Sequence, residues 1–224
     1  MLVKRDFNAD MSASTSEADG AEVLGVRGHA AVFDQMTMIG SRDYGFIEEI
    51  SRDAFKDVLG DDARFLLNHD GIAMARVKNG TLRQSIDEVG LVTDADLNPK
   101  MQSARDLHAA IERGDIDQMS FAFTIEDDEV RMLPDDHAQF PGMPMRTIRK
   151  IGRLYDHSAV TYPAYEGADI GVRSSATGEG EVSGIHKRAS ALEVEEIPEL
   201  EVTDNGVRST NELDALIARR SISL

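Results

Sequence analysis

The chain has 224 residues, no cysteine, and 41 acidic against 24 basic residues, which gives a formal net charge of -17. The lack of cysteine excludes disulfides, thiol nucleophiles and thiolate metal sites. The negative charge disfavours binding to nucleic-acid phosphates, and no apolar run reaches the roughly 20 residues that span a membrane. We therefore expect no nucleic-acid or membrane partner, and chemistry that uses hydroxyl, imidazole or carboxylate groups.

Composition divides the chain into three parts. Residues 1–22 are small, polar and acidic, which predicts a flexible leader. Residues 23–173 alternate apolar runs with turn residues and predict the folded domain. Residues 174–224 are acidic and almost free of aromatic residues, which predicts a disordered tail. The tail ends in STNELDALIARRSISL, a pattern typical of a short amphipathic helix.

The first half of the folded part predicts strands. VLGVRGHAAVF, from residue 23, is rich in apolar and β-branched residues and is broken by two glycines, and YGFIEEI predicts a second short strand. FLLNHDGIAMARV, residues 65–77, predicts two strands joined by a turn at His69–Gly71. TLRQSIDEVGLVTDADL, residues 81–97, predicts a hairpin.

A helix and further strands follow. Apolar residues recur at helical spacing between residues 99 and 113, and Gly114 suits the position just after a helix. MSFAFTIEDDEVRML predicts a strand from Met119, and RTIRKIGRLYDHSAVTYP resumes after a proline-rich insertion. Strands in quick succession with few helices predict a mainly β (α+β) fold. We expect a closed or nearly closed β-barrel flanked by helices.

With thiol chemistry excluded, the usual catalysts left near neutral pH are histidine with serine, histidine with carboxylates at a metal, or paired carboxylates. His69 lies at the end of one apolar strand, and Ser120 lies at the start of another. A serine hydroxyl attacks a carbonyl only when a base within hydrogen-bonding distance takes its proton. Strands anchored in one core would place both side chains at its rim. Four other histidines are expected to be exposed or structural: His29, His108, His137 and His186.

Three segments carry a resemblance to a known family. FLLNHD, GDIDQMSFAF and LYDHSAVTYPAY occur in this order, with GHAAVF before them and TYPAYEGADIGVR at the end. The region from Gly28 to Val172 resembles the prohead maturation proteases of tailed bacteriophages, which are similar to the herpesvirus assemblin proteases. The resemblance implies that His69 is the general base and Ser120 the nucleophile.

The third member of the implied triad has two candidates. The phage enzymes carry an acidic residue before VTYPAY, which matches Asp156, whereas the herpesvirus relatives use a second histidine, which matches His157. Alternation along a strand lets only one of these neighbours face the site. We favour Asp156, because an anion stabilises an imidazolium more strongly than a neutral ring does. Asp70 is a weaker candidate, because it is adjacent to His69 in an extended chain.

The resemblance implies a serine endopeptidase of capsid maturation. Such an enzyme would cut scaffold or capsid-protein extensions, and itself, inside the procapsid in the host cytoplasm. It would act as a homodimer or higher oligomer, with no cofactor or metal.

Two other functions and one assignment stay open. A non-catalytic scaffolding or capsid-assembly protein of the same fold is the main alternative. Metal-dependent hydrolysis through His69, Asp70 and His108 lacks a tight ligand spacing. The oxyanion hole is unassigned, because no spacing distinguishes the arginines near the third segment from a solvated strand face: Arg146, Arg149 and Arg153.

Overall fold

The structure is a computed structural model that describes residues 2–7, 11–18, 21–161 and 179–193. These residues form two β-sheets and two α-helices, together with short 3-10 turns at Arg52–Phe55 and Val77–Asn79. No helix among them is long and apolar enough to cross a membrane. The strands are β1 (Leu2–Phe7), β2 (Ser12–Ala18), β3 (Ala21–Val32), β4 (Thr37–Ile39), β5 (Phe46–Ile50), β6 (Arg64–Leu67), β7 (Asp70–Arg76), β8 (Leu82–Ile86), β9 (Gly90–Leu97), β10 (Gln118–Met132) and β11 (Pro144–Val160), and the helices are α1 (Gln102–Arg113) and α2 (Glu179–Glu193).

The larger sheet is organised around β11. Its strand order is β1-β10-β11-β5-β4, and β6 pairs with β11 and with β7. One edge of β11 pairs antiparallel with β10 from one end to the other. The opposite edge pairs in parallel with β5 near its start and with β6 near its end. The end of β11 therefore lies between the ends of β10 and β6, the two strands that the sequence links to Ser120 and His69.

The smaller sheet is antiparallel, with the order β2-β3-β9-β8. The predicted hairpin of residues 81–97 is confirmed as β8 and β9. Gly90 is the first residue of β9 and pairs with Val32 on β3. A Cβ added to Gly90 would lie 1.8 Å from the Ala31 carbonyl oxygen. Only glycine allows the two backbones to approach so closely.

Helix α1 follows the predicted pattern. Its buried residues include Ala104, Leu107 and Ile111, which recur three or four positions apart and so share one face. Gly114 follows the helix in the left-handed region, with φ of 82°. A residue with a Cβ is strained in that conformation, so glycine favours the end of the helix at this position.

One core joins both sheets. Leu24 and Leu91 from the smaller sheet lie in the same cluster as Phe65 and Phe121 from the larger one. The rings of Phe121 and Phe123 stack at 4.4 Å between centroids. Phe55 packs on Phe121 at 5.6 Å and has no exposed surface. The aromatic side chains of β10 thus fix one face of the strand in the core.

Three expectations need correction. The fold is mainly β with two helices, as predicted, but the described strands form two separate sheets and no closed barrel. The leader of residues 1–22 was expected to be flexible, whereas residues 2–7 and 12–18 form β1 and β2. These strands gain their hydrogen bonds from β10 and β3, which are distant in sequence, so local composition does not reveal them.

The expected disordered tail of residues 174–224 also contains structure. Helix α2 occupies Glu179–Glu193 and packs Ile185 and Ala189 against Phe46 and Val130. This contact is again with residues that are distant in sequence. The predicted terminal helix lies outside the described residues.

Replacing Phe55 with alanine tests the position of the core. We expect Phe55→Ala to lower the free energy of unfolding by about 3–5 kcal/mol, because it removes a fully buried ring and leaves a cavity. Tyr44→Ala is the matched control, since Tyr44 is 77% exposed. Urea denaturation followed by circular dichroism measures both changes. Equal effects of the two substitutions would contradict this core.

Candidate active site

His69, Ser120 and Asp156 form a hydrogen-bonded chain. His69 Nε2 lies 2.6 Å from Ser120 Oγ, and His69 Nδ1 lies 2.6 Å from Asp156 Oδ1. Ser120 and Asp156 lie 51 and 87 positions after His69 in the sequence. The side chains of His69 and Asp156 are 8% and 12% exposed, so water screens their interaction weakly.

The register of the larger sheet brings these residues together. Ser120 on β10 lies opposite Ser158 on β11, and Asp156 lies two residues before Ser158. Because side chains alternate along a strand, Ser120, Ser158 and Asp156 share one face of the sheet. Leu67, near the end of β6, lies beside Ala159 on the other edge of β11, so the turn that follows carries His69 towards this face.

The turn that carries His69 has an unusual backbone. Asn68 and His69 have φ of 52° and 58°, and Gly71 has φ of 83°. Left-handed residues other than glycine cost about 1–3 kcal/mol and persist where the surroundings hold them. Here the Asn68 backbone N–H donates to the Ala159 carbonyl at 2.9 Å, and its side chain exchanges two hydrogen bonds with Thr161. These contacts hold the turn against the end of β11.

Ser158 supports the pair of His69 and Asp156. Its hydroxyl donates to Asp156 Oδ1 at 2.8 Å and accepts the His69 backbone N–H at 3.2 Å. A carboxylate can only accept, so His69 Nδ1 carries the hydrogen that faces Asp156. In the neutral imidazole, Nε2 is then free to accept a hydrogen from Ser120.

His157, the other candidate for the third member, faces away from His69. Its Nε2–H donates to Gln84 Oε1 at 2.9 Å, and its Nδ1 accepts from Thr93 Oγ1 at 2.8 Å. Gln84 uses its amide hydrogens on main-chain carbonyls such as that of Leu59, which fixes its oxygen as the acceptor. Burial lowers the pKa of His157 to about 4, although the negative charge of Asp156 opposes this shift. His157 is therefore a neutral, buried histidine that bridges the two sheets.

The alternative ligands for a metal do not meet. Asp70 is exposed and accepts a hydrogen bond from the adjacent Gly71 N–H. His108 Nε2 lies 3.0 Å from the Ser14 carbonyl oxygen, which accepts its hydrogen. Among residues 2–7, 11–18, 21–161 and 179–193, no group of three histidine, aspartate or glutamate side chains is placed to hold a metal ion.

The three candidate arginines for the oxyanion hole have carboxylate or aromatic neighbours. Arg146 pairs with Glu48 and Glu181. Arg149 pairs with Glu129 at the surface, and the Arg153 guanidinium lies over Tyr155. These contacts do not involve Ser120, and they assign no donor to the oxyanion hole.

Comparisons with known proteins show which family the chain belongs to. The model of the caudovirus prohead serine protease family matches residues 9–181 of the chain. The chain belongs to this family. It is also similar to the Prohead protease of Enterobacteria phage HK97, with 29% identity over 154 residues. That match covers 67% of this chain and 60% of the relative. No solved structure matches the chain significantly.

Two residues at the site were missed in the sequence. The sequence could have indicated Ser158, because its position two residues after Asp156 places both side chains on one face of a strand. Arg5 had no such indication. Its main-chain carbonyl oxygen lies 2.9 Å from Ser120 Oγ, and Ser120 has no exposed surface beneath β1.

The burial of His157 predicts a pH dependence of stability. The unfolded histidine has a pKa near 6.5, whereas the folded one has a pKa of about 4. Between these values the unfolded state binds a proton that the folded state does not, so stability is complete above pH 6.5 and is lost as the pH falls. We expect a loss of about 3 kcal/mol by pH 4, measured by urea denaturation.

The same measurement on His157→Gln isolates this contribution. The variant is expected to be less stable at pH 7. Between pH 4 and 6.5, its free energy of unfolding is expected to change with pH less steeply than that of the wild type, by up to about 1.4 kcal/mol per pH unit. An identical slope in both proteins would contradict the neutral, buried state of His157.

Proposed function

We propose that the chain is a serine endopeptidase in which Ser120 is the nucleophile, His69 the general base and Asp156 the residue that orients the imidazole. The observation that carries the proposal is the chain of two 2.6 Å hydrogen bonds from Ser120 through His69 to Asp156. This is the arrangement that serine nucleophiles require, because the base must be both in reach and held in one tautomer. Membership of the prohead serine protease family supports the same roles.

The residues would act in two half-reactions. Ser120 Oγ attacks the carbonyl carbon of a peptide while His69 Nε2 takes the hydroxyl proton, and Asp156 stabilises the imidazolium that forms. His69 then gives the proton to the leaving amine, and the acyl group remains on Ser120 as an ester. Water, deprotonated by His69, hydrolyses this ester. Ser158 acts as a positioning residue, since it touches Asp156 and the His69 backbone.

The proposed setting is the maturation of a phage capsid. The relative from phage HK97 is named a prohead protease, and we extend that role to this chain. Its substrates would be extensions of the capsid protein or scaffold, and its own chain, inside the procapsid in the host cytoplasm. The mechanism would be similar to that of the herpesvirus assemblins, with a homodimer or higher oligomer as the active form. The proposed reaction uses no cofactor.

One observation favours the non-catalytic alternative. Ser120 has no exposed surface, so a substrate does not reach it in this conformation. A capsid-assembly protein that keeps the fold would need no access to the serine. The two functions differ in whether any protein is cut in a manner that depends on Ser120.

Co-expression with the capsid protein of the same phage tests the proposal. We expect Ser120→Ala to abolish cleavage of the capsid protein and of the chain itself, because it removes the hydroxyl that faces His69 Nε2. Asp156→Asn is expected to reduce the rate by about 10³–10⁴-fold, since the amide favours the wrong tautomer of His69. Intact mass spectrometry and timed gel analysis give the products and rates.

Asp70→Asn is the matched control. Asp70 is also acidic and adjacent to His69, but it is exposed, so its rate is expected to stay within about twofold of the wild type. Cleavage that persists in Ser120→Ala would contradict the proposal. Absence of any cleavage by the wild-type chain would favour the non-catalytic alternative.

A further inference from the structure

The N-terminal strand β1 lies where a peptide substrate would bind. It pairs antiparallel with β10 over six residues, from Leu2 opposite Thr124 to Phe7 opposite Met119. Without β1, β10 would be the edge of the larger sheet. An exposed strand edge accepts an extended peptide through main-chain hydrogen bonds. Strand β1 therefore occupies the edge nearest the nucleophile.

The main chain of β1 reaches the nucleophile at Arg5. The Arg5 carbonyl oxygen lies 2.9 Å from Ser120 Oγ, which places the carbonyl carbon within about 4 Å of the hydroxyl. The hydroxyl has one hydrogen, which it donates either to His69 Nε2 or to the Arg5 carbonyl. Of all the peptide bonds in β1, Arg5–Asp6 is thus presented to Ser120.

The Arg5 side chain enters a buried acidic pocket. Arg5 donates two hydrogen bonds to Glu48 on β5 and one to Glu181 on α2. The side chains of Arg5, Glu48 and Glu181 are only 2%, 3% and 5% exposed. Val3, two residues earlier, is also buried, whereas Leu2 is 46% exposed. The strand thus inserts alternate side chains, as a peptide bound to a sheet edge does.

The charges of this pocket require a cation. Arg146 also pairs with Glu48 and Glu181, so the four side chains balance only while Arg5 is present. If Arg5 left, two buried carboxylates would share one guanidinium, and a buried charge without a partner is costly. Burial raises the pKa of Glu48, but Arg5 and Arg146 lower it further, so its carboxyl is ionised.

Glu181 leaves room for another donor. Its Oε2 atom is buried and accepts no hydrogen bond from the described residues. Its other oxygen, Oε1, already accepts from Arg5 and Arg146. A neutral or acidic side chain in place of Arg5 would leave the carboxylates of Glu48 and Glu181 to share Arg146 alone, whereas lysine or arginine would supply the second cation.

We propose that the pocket formed by Glu48 and Glu181 is the specificity site for a basic residue on the acyl side of the cleaved bond, and that β1 occupies this site in cis with Arg5. The inference rests on the proposed peptidase function. It identifies the substrate as an extended peptide that adds to the edge of β10 with arginine or lysine in the pocket. Because β1 occupies the site, Ser120 is covered. A substrate must therefore displace β1 before it can reach the serine.

The reaction at this site balances as an acyl transfer. Ser120 Oγ forms an ester with the carbonyl carbon of the basic residue, the C–N bond breaks, and the leaving amine receives the serine proton through His69. Water then cleaves the ester and leaves a carboxylate on the basic residue and a free hydroxyl on Ser120. Applied to the chain itself, this reaction would cut the Arg5–Asp6 bond and leave Asp6 as a new N-terminus.

Matched peptides test the specificity of the full chain. The first peptide has the sequence LVKRDF with a fluorophore and quencher, and the others carry Lys, Gln or Glu at the position of Arg5. We expect kcat/KM for the Arg and Lys peptides to exceed that for the Gln and Glu peptides by at least about 100-fold, because a site built for a charged donor rejects analogues that lack it. Mass spectrometry is expected to place the cut between the residue at the position of Arg5 and the aspartate that follows it.

Substitutions in the pocket test its assignment. Glu48→Gln is expected to reduce the preference for Arg over Gln by at least about tenfold, and Glu181→Gln to reduce it in the same direction. Glu49→Gln is the matched control, since Glu49 is the next residue on β5 and accepts a hydrogen bond from Thr147 outside the pocket. Two pocket variants keep the test decisive if one of them does not fold.

Loosening β1 tests its role as the occupant. Arg5→Ala removes the side chain that holds β1 in the pocket, so we expect at least about fivefold faster cleavage of the Arg peptide in trans. Lys4→Ala is the control on the same strand, because Lys4 alternates away from the pocket, and its rate is expected to stay unchanged. Equal rates in the wild type, Arg5→Ala and Lys4→Ala would overturn the role of β1.

The outcomes separate this inference from the proposed function. Cleavage that depends on Ser120 but shows no preference for Arg or Lys would overturn the inference and leave the peptidase function intact. A preference that survives both Glu48→Gln and Glu181→Gln would overturn the assignment of the pocket. Failure of the wild type and Arg5→Ala to cleave any peptide or the co-expressed capsid protein would overturn the peptidase function itself.

Discussion

The pairing of β11 with both β10 and β6 is the constraint on which the site depends. Ser120 and Asp156 lie on adjacent strands of one sheet, so their relative position is set by main-chain hydrogen bonds rather than by flexible loops. His69 joins them only because β6 ends beside Ala159 and Asn68 holds the turn in the left-handed region. A serine nucleophile needs its base within a few tenths of an ångström of the correct position, and a sheet provides that rigidity.

The site and both ends of the described chain are coupled through buried charge. Arg5 comes from the N-terminal strand and Glu181 from helix α2, and both meet Glu48 and Arg146 beside the sheet. Buried ionic clusters of this kind contribute little to the stability of a protein when they are complete, but removal of one member destabilises the protein strongly. Changes in β1 or in α2 would therefore alter the charge balance of the pocket beside β1. This coupling would let cleavage of the chain itself alter access to the active site.

Much of the fold could be predicted from local patterns, because those elements are determined by nearby residues. Helix α1 has an apolar face and a glycine at its end, and the hairpin of β8 and β9 has alternating residues around a tight turn. The elements within the predicted leader and tail could not be found in this way. Strands β1 and β2 and helix α2 are stabilised by contacts with distant segments, which composition does not encode. The prediction of a closed barrel was wrong, because the order of strands along the chain does not determine which strands pair with each other.

The candidate site was predictable in its residues but not in its surroundings. Family resemblance indicated His69 and Ser120, and the structure brings both next to Asp156. The choice between Asp156 and His157 depends on which face of β11 meets the turn after β6, which sequence alternation leaves open. Arg5 gave no signal, because a basic residue near an N-terminus has many ordinary explanations. Its position follows only from the six-residue pairing of β1 with β10.

Nitrogen NMR of the full chain labelled with ¹⁵N-histidine tests the central contact most directly. In the neutral imidazole of His69, we expect Nδ1 to carry the hydrogen, this proton to be strongly deshielded by Asp156, and Asp156→Asn to shift the tautomer. A His69 ring that carries its hydrogen on Nε2, or that does not respond to Asp156→Asn, would contradict the contact from which the proposed chemistry follows.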